Sequence, residues 1–256
     1  MSAAVMLDAA GLYKAYGRIS VLRDVNLTIG AEEAHVVIGP NGAGKTTLFK
    51  VLTGEVGINS GRIAFRGEDV TRLSAHQRVH RGFGRTFQVA RVFPRLTVAD
   101  NLRIACEARH RRANPLAGLG RAAAGEVAQQ GAALLAETGL ARYAADLAGA
   151  LAYGDRKRLE LAMVLALQPV LLFLDEPTAG MSAAERHATV QLLRKVKQER
   201  RLAMLLTEHD MDVVFGLADR ISVLHYGELI ASGAPEAIRH DARVREVYLG
   251  DGEAHA

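Results

Sequence analysis

The stretch "GPNGAGKTT", Gly39 to Thr47, lies between the short apolar run "AHVVI" and the helix-like segment "KTTLFKVLTG", which stops at Gly54. It fits the pattern G-x-x-x-x-G-K-[ST], whose glycines let backbone N–H groups turn inward around phosphate oxygens. The start of the following helix adds partial positive charge. Lys45 is expected to reach the outer phosphates of a nucleotide, and the Thr46 hydroxyl to bind Mg²⁺. The predicted phosphate-binding residues are Gly39, Pro40, Asn41, Gly42, Ala43, Gly44, Lys45, Thr46 and Thr47.

Polar residues end two other apolar runs. "LLFLDEP" places Asp175 and Glu176 after a buried strand, at the edge where open α/β sheets bind ligands. An aspartate there can hold a metal ion and a glutamate can polarise an attacking water, although a pair of surface carboxylates is the alternative. "LLTEHD" ends in His209, which can bond a γ-phosphate or the water, although a lone histidine is more often structural. Gln88, in "GRTFQVARVF", is a weak signal by itself.

The remaining pattern predicts an α/β protein. "ISVLRDVNLTI" and "GRIAFRGEDV" alternate in the way of antiparallel strands. The segment from Asp100 to Leu147 favours helix, except for a loop predicted at 109–125, where a proline, glycines and a charge cluster interrupt it. After Asp155, helices alternate with continuous apolar strands, which indicates a parallel sheet covered on both faces. Ser182 and Glu185 form a capping box at the start of one helix.

Size, charge and cysteine usage narrow the function classes. The 256 residues suggest one compact domain or two small ones, and the net charge of +4 is too weak to imply nucleic acid. Cys106 is the only cysteine, so a disulfide framework is excluded and a reducing compartment is the natural expectation. We expect Cys106 itself to lie in the core. We see no signal peptide and no apolar run near the roughly 20 residues of a membrane span. His76 and His80 have no visible third ligand, so a solvated helix is expected there.

The motifs, taken in order, resemble a known family. The phosphate loop, a glutamine about forty residues later, "LAYGD", "LLFLDEP" and a histidine about thirty residues further on are similar to the nucleotide-binding subunit of ATP-binding cassette (ABC) transporters. The resemblance extends from about Leu7 to Leu249. "LAYGDRKRLELA", "DEPTAGMS" and "TEHDMDVV" look most like the branched-chain amino acid uptake ATPases, and the basic insertion after "NLRIACEARH" looks like the longer of their two ATPase subunits.

This resemblance implies a fold and a domain division. The fold is a RecA-like P-loop NTPase core with an antiparallel β subdomain and a helical subdomain. Residues 1–96 hold the first part of the core, with the antiparallel subdomain and the phosphate loop. Residues 97–159 form the helical subdomain with "LAYGD", and residues 160–256 complete the core with the carboxylates and the histidine.

The resemblance also explains "LAYGD". In the family two ATPase subunits pack head to tail, and this signature motif closes over the nucleotide of the other subunit. The corresponding residues here are Leu151, Ala152, Tyr153, Gly154 and Asp155. The usual L-S-G-G-Q is not kept, since Ala152 lacks the serine hydroxyl, Tyr153 replaces a glycine and Asp155 replaces the glutamine. The "RKR" that follows either adds positive charge or is a solvated helix face. Ser182 replaces a family aspartate after the carboxylates, a departure that bears on communication between the two sites and not on hydrolysis.

The other roles are also implied by resemblance. Tyr16 is expected to stack on adenine, with Tyr13 as its rival and core packing as the alternative for both. The expected catalytic residues are Glu176 as general base, His209 and Gln88, and the expected metal ligands are Thr46, Gln88 and Asp175. The cofactors would be ATP and Mg²⁺. The segment from Arg91 to about Arg112 would face a membrane subunit.

The leading hypothesis is therefore an ATPase that drives uptake of branched-chain or related amino acids. Its partners would be a second ATPase subunit, identical or related, integral membrane permease subunits and, indirectly, a periplasmic or extracellular solute-binding protein, with no nucleic acid. It would lie peripherally on the cytoplasmic face of the membrane. The alternatives are urea or amide uptake, lipopolysaccharide export, a soluble cassette acting on ribosomes or DNA, and a non-catalytic nucleotide-gated scaffold.

Overall fold

The computed structural model describes residues 4–113 and 121–250, which form two β-sheets and a set of covering helices. The strands are β1 (Val5–Tyr16), β2 (Ile19–Gly30), β3 (Ala34–Ile38), β4 (Ser60–Phe65), β5 (Glu68–Asp69), β6 (Phe83–Arg85), β7 (Leu171–Asp175), β8 (Ala203–Thr207), β9 (Arg220–His225) and β10 (Glu228–Gly233). The helices are α1 (Lys45–Leu52), α2 (Ala75–His80), α3 (Val98–Ala113), α4 (Arg121–Glu137), α5 (Tyr153–Ala166), α6 (Ala183–Arg200), α7 (Met211–Leu217), α8 (Pro235–His240) and α9 (Ala242–Gly250).

The larger sheet has the strand order β10-β9-β3-β8-β7-β6, and all its neighbours pair in parallel except β10 with β9. Its central strands are buried on both faces, as their continuous apolar runs predict. In β7, Leu171 and Phe173 pack in one hydrophobic cluster with α1, whereas Leu172 and Leu174 pack in another with α5. The predicted parallel sheet covered on both faces is confirmed.

The smaller sheet is antiparallel, with the order β2-β1-β4-β5. It includes both segments in which the alternation predicts antiparallel strands. Its inward residues, among them Leu12, Leu22 and Ile63, are fully buried in the cluster that holds α1. This sheet therefore supports the helix that follows the phosphate loop.

Helices α3, α4 and α5 pack against one another beside the larger sheet. Cys106 is fully buried among them, so the prediction of a core cysteine is confirmed. The prediction of a loop over 109–125 is wrong at both ends, because α3 continues to Ala113 and α4 begins at Arg121. The high helix propensity of alanine and arginine outweighs the single Gly125. Residues 114–120 of that prediction lie outside the described residues.

Other local predictions are confirmed. Helix α1 ends at Leu52, and Gly54 follows it with a positive φ of 78°. Ser182 caps α6, and its side chain and that of Glu185 satisfy each other's backbone N–H groups. His76 and His80 are exposed on α2. Within 4–113 and 121–250, no helix is both long and apolar enough to cross a membrane. The division at 96 and 159 stays a prediction.

Candidate active site

The larger sheet brings the predicted site residues to one edge. Strands β3, β8, β7 and β6 are adjacent and parallel, so their carboxyl ends lie side by side. The phosphate loop follows β3, and His209 comes shortly after β8. Asp175 ends β7 with Glu176 directly after it, and Gln88 comes shortly after β6. Such an edge is where open α/β sheets bind ligands.

The phosphate loop needs glycine at both of its ends. A Cβ on Gly39 would lie 2.1 Å from the carbonyl oxygen of Leu224, and one on Gly44 would lie 2.9 Å from that of Val21. Gly44 is also the N-cap of α1, with a φ of 109°, a conformation that favours glycine. The Nζ of Lys45 donates to the carbonyl oxygens of Gly39 and Pro40, at 2.6 and 3.1 Å. The lysine ammonium is therefore held against the loop.

The surroundings of Lys45 change the pKa of its ammonium. Burial lowers the pKa of its ammonium, and the nearby carboxylates of Glu176 and Asp175 oppose that change. Both carboxylates therefore act electrostatically on the lysine of the phosphate loop. The two motifs are far apart in sequence, and the strand order brings them together.

Thr207, the last residue of β8, holds both carboxylate residues. Its hydroxyl donates to Asp175 Oδ1 at 2.8 Å and accepts from the backbone N–H of Glu176 at 3.1 Å. The same N–H lies 3.2 Å from the carbonyl oxygen of Thr207. Glu176 has a φ of 46°, a left-handed conformation that costs a side-chain-bearing residue roughly 1–2 kcal/mol. These contacts hold it there.

Gln88 and Arg85 approach the carboxylates from the side of β6. The Nε2 of Gln88 donates to Glu176 Oε2 at 3.2 Å. Arg85 Nη2 lies 3.7 Å from Asp175 Oδ2, and Arg85 Nη1 donates to Thr53 Oγ1 at 2.9 Å and pairs with Glu55. The structure thus brings the predicted glutamine and glutamate into contact.

His209 lies two residues beyond Thr207, at the same edge, and is exposed. Its ring makes no hydrogen bond to any of the residues that the structure describes. The neighbouring Glu208 is buried and accepts from the N–H and hydroxyl of Thr178, at 3.1 and 2.7 Å. The histidine is therefore anchored through its neighbour while its ring faces outward.

Tyr16 and Tyr13 are 46% and 38% exposed, so the core-packing alternative is wrong for both. Tyr16 ends β1, and its ring lies 4.9 Å from the ammonium of Lys14. It pairs with Ile19, two residues before Val21, whose carbonyl oxygen lies beside the phosphate loop. Tyr16 therefore lies at the end of β1 that is next to the phosphate loop.

The "LAYGD" residues begin α5. Leu151 is buried, Ala152 is the N-cap and makes no side-chain hydrogen bond, and the helix begins at Tyr153. Gly154 lies inside the first helical turn. A Cβ there would lie 2.9 Å from Glu185 Oε1, so a larger residue would displace the end of the Glu185 side chain. Asp155 pairs with Arg158 at 3.2 Å.

A family model described as "ABC transporter" matches residues 22–179, more than half of the chain. The chain belongs to the ABC transporter ATP-binding family. The match includes the phosphate loop, Gln88, the "LAYGD" stretch and Glu176, and it ends before His209. A second model, described as "Branched-chain amino acid ATP-binding cassette transporter", matches residues 228–254.

Relatives within the ABC transporter family align over nearly the full length. The high-affinity branched-chain amino acid transport ATP-binding protein BraF of Pseudomonas aeruginosa is 38% identical over 251 residues, covering 96% of this chain and 98% of that protein. The corresponding LivG of Escherichia coli is 37% identical with the same coverage. A crystal structure of the ADP conformation of an ATP-binding cassette of an ABC transporter superposes with a TM-score of 0.84 at 26% identity. It covers 96% of this chain and 99% of that one, which confirms the RecA-like P-loop fold.

Sequence reasoning missed four residues that lie at or beside the candidate site of this ABC protein, namely Thr207, Arg85, Lys157 and Glu160. Lys157 belongs to the "RKR" run, and the interpretation of that run as a solvated helix face is wrong for it, because Lys157 is only 6% exposed. Glu160, three residues later, shares a helix face with Lys157, but opposite charges at this spacing are equally typical of a solvated face, so the sequence carries no signal of their burial. Thr207 and Arg85 end β8 and β6, but such positions are common and do not by themselves indicate a site.

Proposed function

We propose that this chain is the ATP-hydrolysing subunit of an importer of branched-chain or related amino acids. One observation carries the catalytic part: Gln88 Nε2 lies 3.2 Å from Glu176 Oε2, at the sheet edge that also holds the phosphate loop. A base, a polar side chain that can orient water and a phosphate-binding loop are the groups that phosphoryl transfer to water requires.

The donor set suits Mg²⁺. Thr46 is exposed, its hydroxyl makes no hydrogen bond to the rest of the described chain, and Asp175 offers carboxylate oxygens held by Thr207. Hydroxyl and carboxylate oxygens are ligands that Mg²⁺ prefers. We assign Thr46, Asp175 and Gln88 as the residues that hold it. When bound, the ion neutralises charge on the phosphate oxygens.

Each remaining group has one task. The N–H groups of the phosphate loop and the start of α1 bind the phosphates, and Lys45 neutralises charge that develops on them. Glu176 accepts the proton of the attacking water, with Gln88 orienting it. The outward ring of His209 hydrogen-bonds the γ-phosphate, and Tyr16 stacks on adenine.

We further propose that two such subunits close on ATP. Leu151 to Asp155 of one subunit then meet the nucleotide held by the phosphate loop of the other. Helix α5 supports this role, because its N-cap Ala152 leaves the first-turn N–H groups without a side-chain acceptor, and such groups bind anions. The second subunit would be a copy or a relative, and the pair would dock on integral membrane subunits at the cytoplasmic face through the segment 91–112.

The assignment of amino acids as the cargo comes from similarity to other proteins. It is supported by the match of residues 228–254 to the branched-chain model and by the names of the aligned relatives. A cassette does not touch the cargo, so the site geometry does not enter here. We therefore propose amino acids over urea, other amides or lipopolysaccharide on the relatives alone.

Glu176→Gln tests the catalytic assignment. The variant should still bind ATP, should lose turnover by at least about 100-fold, and should elute as an ATP-dependent dimer in size-exclusion chromatography. Turnover near the unaltered rate would exclude Glu176 as the base.

Affinity purification of the tagged chain from gently solubilised native membranes tests the transport assignment. Two polytopic membrane proteins and a second ATPase should co-purify. Ribosomal or DNA-bound proteins without a membrane protein would refute the transport function and leave the ATPase assignment intact.

A further inference from the structure

One face of α5 holds the segment that carries Gln88, which we call the Gln88 loop (86–92). Tyr153, Lys157 and Glu160 follow one another at spacings of four and three residues, so they form one stripe along the helix. The hydroxyl of Tyr153 donates to the carbonyl oxygen of Gln88 at 3.0 Å, and Lys157 Nζ donates to that of Phe87 at 2.6 Å.

Glu160 completes the set. Its Oε1 accepts from the backbone N–H of Phe87 at 3.2 Å and from that of Arg91 at 3.0 Å. All four contacts go to the backbone of the loop. The side chain of Gln88 is thereby left to reach Glu176.

The burial of the stripe shows that these contacts are not incidental. Lys157 and Glu160 are 6% and 3% exposed, and charged side chains are almost never so buried unless they are partnered. Burial lowers the pKa of Lys157 and raises that of Glu160. No Lys157–Glu160 ion pair forms within 4 Å in the described structure. Lys157 Nζ and Glu160 Oε1 bond the loop, whereas Glu160 Oε2 is buried with no hydrogen-bond partner among the described residues.

The stripe also begins inside the signature motif. Tyr153 is the first residue of α5, its ring faces Gly180, and a Cβ on that glycine would lie 3.5 Å from the ring. In the proposed dimer, the first turn of α5 contacts the nucleotide of the partner. Side chains of the same helix bond the Gln88 loop, so a movement of the helix would reach both sites. The contact between the signature motif and the Gln88 loop is made by Tyr153, at a position where the general family pattern has glycine.

We propose that Tyr153, Lys157 and Glu160 are positioning residues that set the Gln88 side chain against Glu176 and transmit the state of the signature motif to the chain's own hydrolysis site. The inference rests on the proposed function, since Gln88 and the signature motif have their roles from it. A stripe that only stabilised the fold would lower stability without acting through Gln88.

Amide hydrogen exchange of the nucleotide-free chain tests the contacts without any turnover. Glu160→Ala removes the acceptor for the N–H groups of Phe87 and Arg91, so these two amides should exchange at least about 10-fold faster. Glu160→Gln keeps an acceptor oxygen and should restore most of the protection. Unchanged exchange in Glu160→Ala would overturn the proposal.

A double-mutant cycle on kcat tests the transmission. Tyr153→Phe removes only the hydroxyl and should lower kcat by about 5- to 10-fold, while Gln88→Ala lowers it further. Because Tyr153 acts through Gln88, the double variant should be no slower than Gln88→Ala alone. If the fold-decreases in kcat caused by the two substitutions multiplied in the double variant, the proposal would be overturned. Tyr143→Phe is the matched control, since the Tyr143 hydroxyl has no hydrogen bond to a described residue, and its kcat should be unchanged.

The two failures are distinguishable. If the unaltered chain bound ATP but did not hydrolyse it, alone or with its co-purified partners, the proposed function would fail. The exchange experiment would still decide whether the stripe holds the Gln88 loop. If the chain hydrolysed ATP and Tyr153→Phe and Glu160→Ala retained full kcat, the positioning role alone would be wrong.

Discussion

Thr207→Val removes one hydroxyl and keeps nearly the same side-chain shape. In the structure this hydroxyl donates to Asp175 Oδ1 at 2.8 Å and accepts from the N–H of Glu176 at 3.1 Å. Thr207 is 1% exposed and Asp175 is 9% exposed, so water does not easily replace the lost donor. The substitution therefore loosens both predicted carboxylates while adding no bulk.

The expected magnitude follows from these contacts. A hydrogen bond to a charged group contributes about 1.5–3 kcal/mol to stability. Asp175 keeps Arg85 at 3.7 Å and the N–H of Glu176 keeps the carbonyl oxygen of Thr207 at 3.2 Å, so we expect the low end, near 2 kcal/mol. If the same 2 kcal/mol is lost in the transition state, kcat falls by about 30-fold.

Two assays separate stability from catalysis. Urea unfolding gives the change in folding free energy, and steady-state ATP turnover gives kcat. Thr138→Val is the matched control, because the buried hydroxyl of Thr138 donates at 2.8 Å to the uncharged carbonyl oxygen of Leu134, away from the site. The control should lose about 0.5–1.5 kcal/mol of stability and no activity. A Thr207→Val variant that lost stability as expected but kept kcat within about twofold would refute the argument.

Three further substitutions have definite expected outcomes. Lys45→Ala should abolish nucleotide binding in equilibrium titration with ATP, and normal affinity would exclude the phosphate-loop assignment. Gly227→Ala should lower the free energy of unfolding by about 2 kcal/mol or more, because Gly227 has a φ of 84° and a Cβ there would lie 2.3 Å from the carbonyl oxygen of Val21. Gly57→Ala is the control, since a Cβ on Gly57 meets nothing within 4 Å. Arg78→Met should lower the free energy of unfolding by about 3 kcal/mol, because the substitution removes a buried guanidinium that donates to four backbone carbonyl oxygens. Denaturant titration measures both changes in stability.

The sequence predicts the site edge well because the relevant signals are local. The phosphate loop, the carboxylates after β7 and the capping box of α6 each depend on a few consecutive residues. Continuous apolar strands then imply a parallel sheet, and a parallel sheet aligns the carboxyl ends of its strands. The meeting of Lys45 with Asp175 and Glu176 follows from that topology.

The failures of prediction concern contacts between elements. Whether Lys157 faces solvent or the Gln88 loop depends on how α5 lies against a segment about seventy residues earlier, and helical spacing does not encode that packing. The loop predicted at 109–125 is wrong over 109–113 and 121–125, where the helix propensity of alanine and arginine outweighs the turn signals nearby. Thr207 gave no signal, because a threonine that ends a buried strand is common.

Two of the three departures in the signature motif, Ala152 and Tyr153, are explained together by the geometry of α5. A serine at the N-cap would accept from N–H groups of its own helix and would stabilise it by about 1 kcal/mol. Ala152 forgoes this and leaves those N–H groups to an anion from outside the helix, which is where we propose that the partner's nucleotide binds. Tyr153 forgoes the flexibility of glycine and uses its hydroxyl within its own chain, on the carbonyl oxygen of Gln88. In the proposed closed dimer, the first turn of α5 would present its backbone N–H groups to the partner's nucleotide, while the Tyr153 hydroxyl bonds the Gln88 carbonyl oxygen of its own chain. One helical turn would then connect the two sites, whose affinities it could couple.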